Sequence, residues 1–351
     1  MKKAVKIMIF VALGLLVVGT AMAFVSVAAA GFNMKNIIPY TDAEYKEFDI
    51  TEDYSDIDLE IEWDSVEICK SGDGNTHFTC YLTEGEDYDV KVEEDTLKIK
   101  SIDKSASFNT IFSFNLAEDH AKLYLPKEEY DNLCADVESG SFMCSENLTF
   151  SDADIDCGSG SLKLSEMTFE DLSAKISSGS SKLENINADS IDLNNGSGSA
   201  ELNSVKAGTI KAKSSSGSVK ANNVEAKSAE LKAGSGSVTT ENVTCEEDLR
   251  IQSSSGSLHM TETVAGNKLE GKTGSGSIHL DACDGADINL QTGSGSIKGT
   301  VKTSKMFSAS SGAGSVKVPE DDDNGGKCVL HSGSGSINVS LVGEEMSETA
   351  E

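Results

Sequence analysis

The tripeptide Ser-Gly-Ser, once Ala-Gly-Ser, recurs eleven times between Ser139 and Ser336. Its central glycines are Gly140, Gly160, Gly179, Gly198, Gly217, Gly236, Gly256, Gly276, Gly295, Gly314 and Gly335, at intervals of 19 to 21 residues. A period this steady marks stacked supersecondary units and constrains the fold more than any other feature of the chain. Columns counted from the glycine carry the pattern. Seven residues before it stand Leu133, Leu172, Ile191, Ile210, Leu249, Leu269 and Ile288. Two after it stand Phe142, Leu162, Val219, Val238, Leu258, Ile278, Ile297 and Ile337, and four after it Leu164, Leu183, Leu202, Met260 and Leu280. Polar residues lie between, so apolar residues alternate with period two on both sides of a glycine corner.

A unit of about 20 residues with short strands cannot bury its apolar face alone, whereas coils stacked on one another can. The expected fold is all-β: a single-stranded parallel β-helix, or β-solenoid, of about eleven coils. At ~4.8 Å per coil its length is about 50 Å. Glycine is expected at the corner because a left-handed or crowded backbone there excludes a Cβ. The serine after each glycine is expected to bridge neighbouring coils or to satisfy corner carbonyls with its hydroxyl.

Residues outside the repeat differ. From Asn33 to Ala135 there are 26 acidic and 9 basic residues, the larger part of a net charge of −29 for the whole chain. An excess of that size argues against nucleic acid as a partner. The segments "IDLEIEWDSVEICKS", "YDVKVEEDTLKIKSI" and "HAKLYLPKEEYDNLCADV" alternate like strands. Residues 46–135 are therefore expected to form an irregular β-region that caps the solenoid over 136–340, since an open solenoid end is an exposed sheet edge. Residues 33–45 read as a linker and 341–351 as a disordered tail. Lys2, Lys3 and Lys6 precede an uncharged run of 26 residues from Ile7 to Phe32. Residues 1–32 thus read as one transmembrane helix, with the C-terminal bulk outside the cell. The alternative is a cleaved signal, for which Ala21-Met22-Ala23 and Ala28-Ala29-Ala30 offer small-x-small sites, and then a secreted chain.

An anchor followed by "VEICKSGD", "DTLKIK", "AKLYLPKEEYDNLCADVESGSF" and then "GSGSI" repeats resembles the bacterial putative-adhesin β-strand-repeat family, domain of unknown function 4097. The resemblance spans roughly residues 45–340. It implies a right-handed β-helix on the outside of a Gram-positive-like cell, and some relatives accompany envelope-stress regulators. It implies no catalytic residues.

Candidate chemistry is sparse. Eight cysteines in an exported chain raise the question of disulfides. Cys144, Cys157, Cys245, Cys283 and Cys328 occupy apolar or small-residue columns and read as core fillers. Cys69 and Cys80 flank a polar loop and are the candidate hairpin disulfide, and Cys134 falls on an outward phase. No CxxC or HxxxH spacing suggests a metal, and no cofactor is expected. Asp321, Asp322 and Asp323 read as a solvated loop rather than a Ca²⁺ site. Three residues after the glycine, Lys163, Lys182, Lys220, His259, His279, Lys298 and Lys317 form one column, interrupted by Glu201. Stacked coils would turn it into a basic stripe, either a solvated face or a track for teichoic acid or an acidic glycan. Arg250 is the only arginine, and no long insertions wall a cleft of the kind polysaccharide lyases and hydrolases need. The sequence therefore favours a non-enzymatic, membrane-anchored surface protein, adhesin-like or scaffolding. The alternatives are an envelope-stress component docking on a membrane sensor and, remotely, a secreted polysaccharide lyase or hydrolase.

Overall fold

The computed structural model describes residues 43–103, 120–322 and 325–343. The expected membrane helix over 1–32 lies outside these residues, as does most of the C-terminal tail. Every regular element described is a strand. In chain order these are β1 (Glu44–Ile50), β2 (Asp56–Ile61), β3 (Val66–Lys70), β4 (Thr76–Leu82), β5 (Glu86–Glu93), β6 (Thr96–Asp103), β7 (Ala121–Leu125), β8 (Glu129–Val137) and β9 (Phe142–Cys144). The repeat continues with β10 (Thr149–Cys157), β11 (Leu162–Ser165), β12 (Thr168–Ile176), β13 (Ser181–Asn195), β14 (Ala200–Ser214), β15 (Val219–Ala233), β16 (Val238–Cys245), β17 (Leu249–Ser253), β18 (Leu258–Thr273) and β19 (Ile278–Thr292). It closes with β20 (Ile297–Val301), β21 (Met306–Ser311), β22 (Val316–Lys317), β23 (Lys327–Ser332) and β24 (Ile337–Leu341).

The chain divides into two compact units. The smaller includes the described residues 43–46 and 81–87, where Lys46 pairs with Asp87 at 2.5 Å and Tyr45 meets Tyr81 edge to face at 5.5 Å. The larger unit holds the solenoid. Within it consecutive coils pair in parallel and in register, Ile191 on Ile210 and Leu183 on Leu202 for example. The buried residues are the predicted ladders: Leu183, Leu202, Ile191, Ile210, Val219, Val238, Leu258 and Ile278 are at most 1% exposed. Cys144, Cys157, Cys245, Cys283 and Cys328 join them at 0–1%.

Two corners shape each coil, and they work differently. At the Ser-Gly-Ser corner the glycines are crowded rather than left-handed. A Cβ on Gly217 would lie 2.3 Å from the Gly198 carbonyl oxygen, and every Ser-Gly-Ser corner repeats this close approach to the coil it stacks on. The left-handed residues sit six positions later and are not glycine. Glu166, Asn185, Ser204, Asn223, Asn242, Glu262 and Ala282 all have φ between +47° and +60°. Asparagine tolerates that region best among side chains, which accounts for its three appearances. The left-handed residue also shifts the inward phase by one, from Ser181 and Leu183 before Asn185 to Ile186 after it.

The hydroxyl columns divide the corner's hydrogen bonding between them. From Ser141 to Ser277 each serine after the glycine accepts the backbone N–H of its counterpart in the next coil, as Ser180 Oγ does from Ser199 at 3.2 Å and Ser199 Oγ from Ser218 at 3.2 Å. Three residues before the glycine a second hydroxyl works twice. Thr292 Oγ1 accepts from Gly295 N–H at 3.0 Å and donates to Gly276 O at 2.7 Å, and Ser253 and Thr273 act alike. Buried carbonyls that the ladder leaves unpaired are thereby satisfied.

The coils follow chain order only as far as Gly295. A Cβ on Gly335 would meet the Gly295 carbonyl, and one on Gly314 would meet that of Gly335. Correspondingly β23 lies between β19 and β21, and β24 between β20 and β22. The last coil in sequence is thus the second-to-last in space. The other end repeats the device: β2 and β3 are sandwiched between β8–β9 and β6–β7. Residues 56–70 form a further rung in register with the repeat, with the Asp64 carbonyl beneath Gly140, so the capping region is more regular than its sequence suggests. Tucking a chain end one rung inward gives it two hydrogen-bonded neighbours and leaves the outermost rung tethered on both sides. The acidic loop before β23 then covers part of the outer edge. Asp321 Oδ1 accepts the Phe307 N–H at 2.7 Å, and Asp322 N–H donates to Lys305 O at 3.1 Å. Capping an open sheet edge in this way blocks strand-to-strand association.

Candidate functional site

The register assembles the predicted basic column. Lys163 pairs with Lys182, Lys182 with Glu201, Glu201 with Lys220 and Lys220 with Thr239. Thr239 pairs with His259, His259 with His279 and His279 with Lys298. Lys317 is separated from Lys298 by Asn338, a direct result of the exchanged last coils. The column is therefore not one continuous track. Lys163 and Lys182 form one positive cluster; Lys298 and, two rungs further, Lys317 form another. Six rungs separate Lys182 from Lys298, about 29 Å at the spacing of strands in a sheet.

A second outward column, two residues further along each coil, modulates the first. Its Glu184 binds Lys182 at 2.7 Å, which raises the lysine's pKa and lowers the carboxylate's. Glu241 and Asp281 stand in the same column. Along the neighbouring left-handed corner, Asn203, Ser204, Asn222, Asn223, Asn242 and the carboxylates of Glu241 and Glu262 line a shallow polar trough. Amide ladders run through it, with Asn242 Nδ2 donating to Asn223 Oδ1 at 2.8 Å and Asn222 Nδ2 to Asn203 Oδ1 at 3.1 Å.

His259 and His279 stack face to face, centroids 5.0 Å apart and planes 2° from parallel. Desolvation lowers the pKa of His279, and the nearby charges of His259 and Lys298 push the same way. The folded chain therefore binds fewer protons at this site than the unfolded chain once pH falls below about 6.5. Stability from this site is complete above that value and is lost as pH drops toward the lowered folded-state pKa. On going from pH 7.5 to 5.5 the change in stability should therefore be less favourable for the wild type than for His279→Gln. Urea midpoints of both proteins at the two pH values check this; an acid-induced change that is equal in the two, or less favourable in the variant, would refute it.

The candidate hairpin disulfide does not form. Strand β7 lies between β3 and β4, parallel to the first and antiparallel to the second. Cys69 and Cys80 thus sit on strands two apart, at least about 9.5 Å, beyond the ~7 Å limit for Cα atoms in a disulfide. They also face opposite ways: Cys80 is fully buried, whereas Cys69 is half-buried on the outer face. Burial pushes the thiol pKa of Cys69 to about 11 and those of Cys144, Cys157, Cys245 and Cys328 to about 12. Such thiols are poor nucleophiles at neutral pH. Cys134 is exposed, as its phase predicts, among Asp58, Asp136 and Asp154. Asp321 is committed to the edge of β21, and Asp323 lies outside the described residues.

One cluster escaped the sequence reading. Glu47 and Asp49 on β1 meet His77 on β4, with Asp73 of the preceding loop on the far side of the imidazole. The only sequence signal is Glu-x-Asp on one strand and a histidine 28 residues after the aspartate, a spacing no short metal motif uses.

A comparison with curated proteins finds no significant match. Among solved structures, the chain is similar to a protein of Parabacteroides distasonis titled a putative lipid binding protein, at 20% identity and a TM-score of 0.43, over 85% of this chain and 96% of that one. It is also similar to a putative adhesin of Bacteroides fragilis, at 16% identity and a TM-score of 0.39, over 86% and 99%. A third, a putative adhesin of Parabacteroides merdae, shares 12% identity with a TM-score of 0.40, over 86% and 96%. The family model described as Toastrack DUF4097 matches residues 54–239 and 208–351, which take in the capping rungs and every Ser-Gly-Ser corner, and the chain belongs to that family.

Proposed function

We propose that this chain is a non-enzymatic surface protein that binds an anionic cell-wall polymer along one face of its solenoid. The supporting observation is the column running from Lys163 to Lys317, which holds five lysines and two histidines on a chain of net charge −29. Its two positive clusters, about 29 Å apart along the coil stack, suit a long, flexible polyanion such as teichoic acid or an acidic glycan. Each contact is individually weak, and simultaneous engagement supplies the affinity. Residues 1–32 act in this reading as a membrane anchor that holds the solenoid outside the cell.

Sedimentation of the full-length chain, kept in mild detergent, with purified sacculi tests the reading. Binding should require teichoic acid and fall at least tenfold between 50 and 500 mM salt. The combined variant Lys163→Gln, Lys182→Gln, Lys298→Gln, Lys317→Gln should lose most of it while keeping its circular dichroism spectrum. Equal binding to sacculi stripped of teichoic acid, or undiminished binding by the variant, would overturn the proposal.

A further inference from the structure

The cluster on β1 and β4 has the parts of a metal centre. Glu47 and Asp49 are two residues apart on one strand and so share a face. Asp49 Oδ1 lies 2.7 Å and Glu47 Oε1 3.6 Å from His77 Nδ1. One donor atom from each of the three residues falls within 4.8 Å of the other two. A cation bound at about 2.1 Å from nitrogen and oxygen ligands needs donor atoms roughly 3.0–3.4 Å apart; the Glu47 oxygen lies just beyond that distance from Nδ1, and the 2.7 Å Asp49 contact is a hydrogen bond that a bound ion would replace.

The other side of the ring supplies an independent observation. His77 Nε2 donates to Asp73, 2.9 Å from Oδ2 and 3.1 Å from Oδ1. Histidine ligands in metal sites characteristically give their second N–H to a carboxylate, which fixes the tautomer; at His77 the incoming ion would displace the proton that Nδ1 shares with Asp49. Asp73 is itself held in place: its carboxylate accepts from Ser71 Oγ at 2.8 Å, Asn75 N–H at 3.0 Å and Asn75 Nδ2 at 3.2 Å. A carboxylate secured by its own loop would orient the imidazole before any ion arrives. The His77 side chain is only 19% exposed, while Asp49 is open to solvent at 73%, so an ion could enter from the carboxylate side.

We propose that Glu47, Asp49 and His77 bind a first-row divalent ion of the Zn²⁺ type, with Asp73 orienting His77 and water completing the coordination. One imidazole with two carboxylates suits such an ion better than Ca²⁺ or Mg²⁺, which favour oxygen alone. The bound ion would clip β1 to β4. This inference is independent of the polyanion reading.

The test is calorimetric titration of the full-length chain, stripped with chelator and kept in mild detergent, with ZnCl₂ and separately with CaCl₂. One equivalent of Zn²⁺ should bind, with Ca²⁺ at least a hundredfold weaker. His77→Ala should abolish that equivalent, Asp49→Asn should weaken it at least tenfold, and Asp73→Asn, which leaves every ligand in place, ten- to a hundredfold. Cys134→Ser, which removes the exposed thiol, should change nothing. Circular dichroism checks each variant's fold, and His77→Gln replaces His77→Ala should that variant not fold. Failure to take up Zn²⁺, its retention by the His77 variants, its loss in Cys134→Ser, or equal affinity for Ca²⁺ would each overturn the proposal.

Discussion

Gly198→Ala should cost about 3 kcal/mol or more, enough to leave much of the chain unfolded, whereas Gly72→Ala should fall within about 0.5 kcal/mol of wild type. A Cβ on Gly198 would lie 1.9 Å from the Gly179 carbonyl oxygen and 2.4 Å from its carbon. Both partners are backbone, so relief requires separating two coils. Hydrogen bonds across the stack resist that separation: Ser199 N–H to Ser180 Oγ at 3.2 Å on one side, and Ser214 Oγ to Gly198 O at 2.8 Å on the other. Around Gly72 a Cβ would meet nothing within 4 Å. Urea midpoints for the two variants decide the matter. Comparable stability would mean that the corner glycines are tolerated rather than required, and the account of the stack would fail.

Phe150→Ala should cost about 3–5 kcal/mol, and Phe150→Leu less than half of that. Phe150 is fully buried and stacks between Tyr130 at 5.6 Å and Phe169 at 6.3 Å, with Tyr54 beyond Tyr130 at 5.9 Å. Truncation removes the middle of this aromatic column and opens a cavity that neighbours pinned in register cannot fill. The same position carries alanine in later coils, where Phe169 pairs with Ala188 and then Ala207 and Ala226 follow. The large effect thus belongs to the aromatic end of the column, and Ala207→Gly should cost only about 1 kcal/mol. Thermal or urea denaturation of the three variants checks the ranking; a loss below about 1 kcal/mol for Phe150→Ala would show that the stack carries little stability.

Much of this architecture was legible in the residues. The interval between glycines, the apolar columns and the cysteines standing in them state a parallel stack, because each coil repeats the same inward phase and can be read against ten others. The crowding at the corner was half legible: glycine there announced a constraint, but not whether Cβ exclusion or a left-handed backbone imposed it. The left-handed column was hidden, since Asn185, Asn223 and Asn242 hint at it while Glu262 and Ala282 do not. The basic column was visible as a list of positions. Its interruption by Glu201 was visible too; the gap that Asn338 opens between Lys298 and Lys317 was not, because Asn338 enters there only through the coil exchange.

The sequence by itself determined the repeat, its inward and outward faces, and the residues that each coil offers its neighbours, because these follow from local alternation and a fixed period. The tertiary structure alone decided which coil meets which at the two ends. Every coil presents the same ladder, so nothing in the pattern distinguishes the neighbour in sequence from the neighbour one rung beyond; connection lengths and the satisfaction of open edges make that choice. Likewise it placed β7 between Cys69 and Cys80, and it drew Glu47, Asp49, Asp73 and His77 from two strands and a loop into one cluster. Contacts between residues this far apart in sequence arise from strand pairing, and no local signal records them.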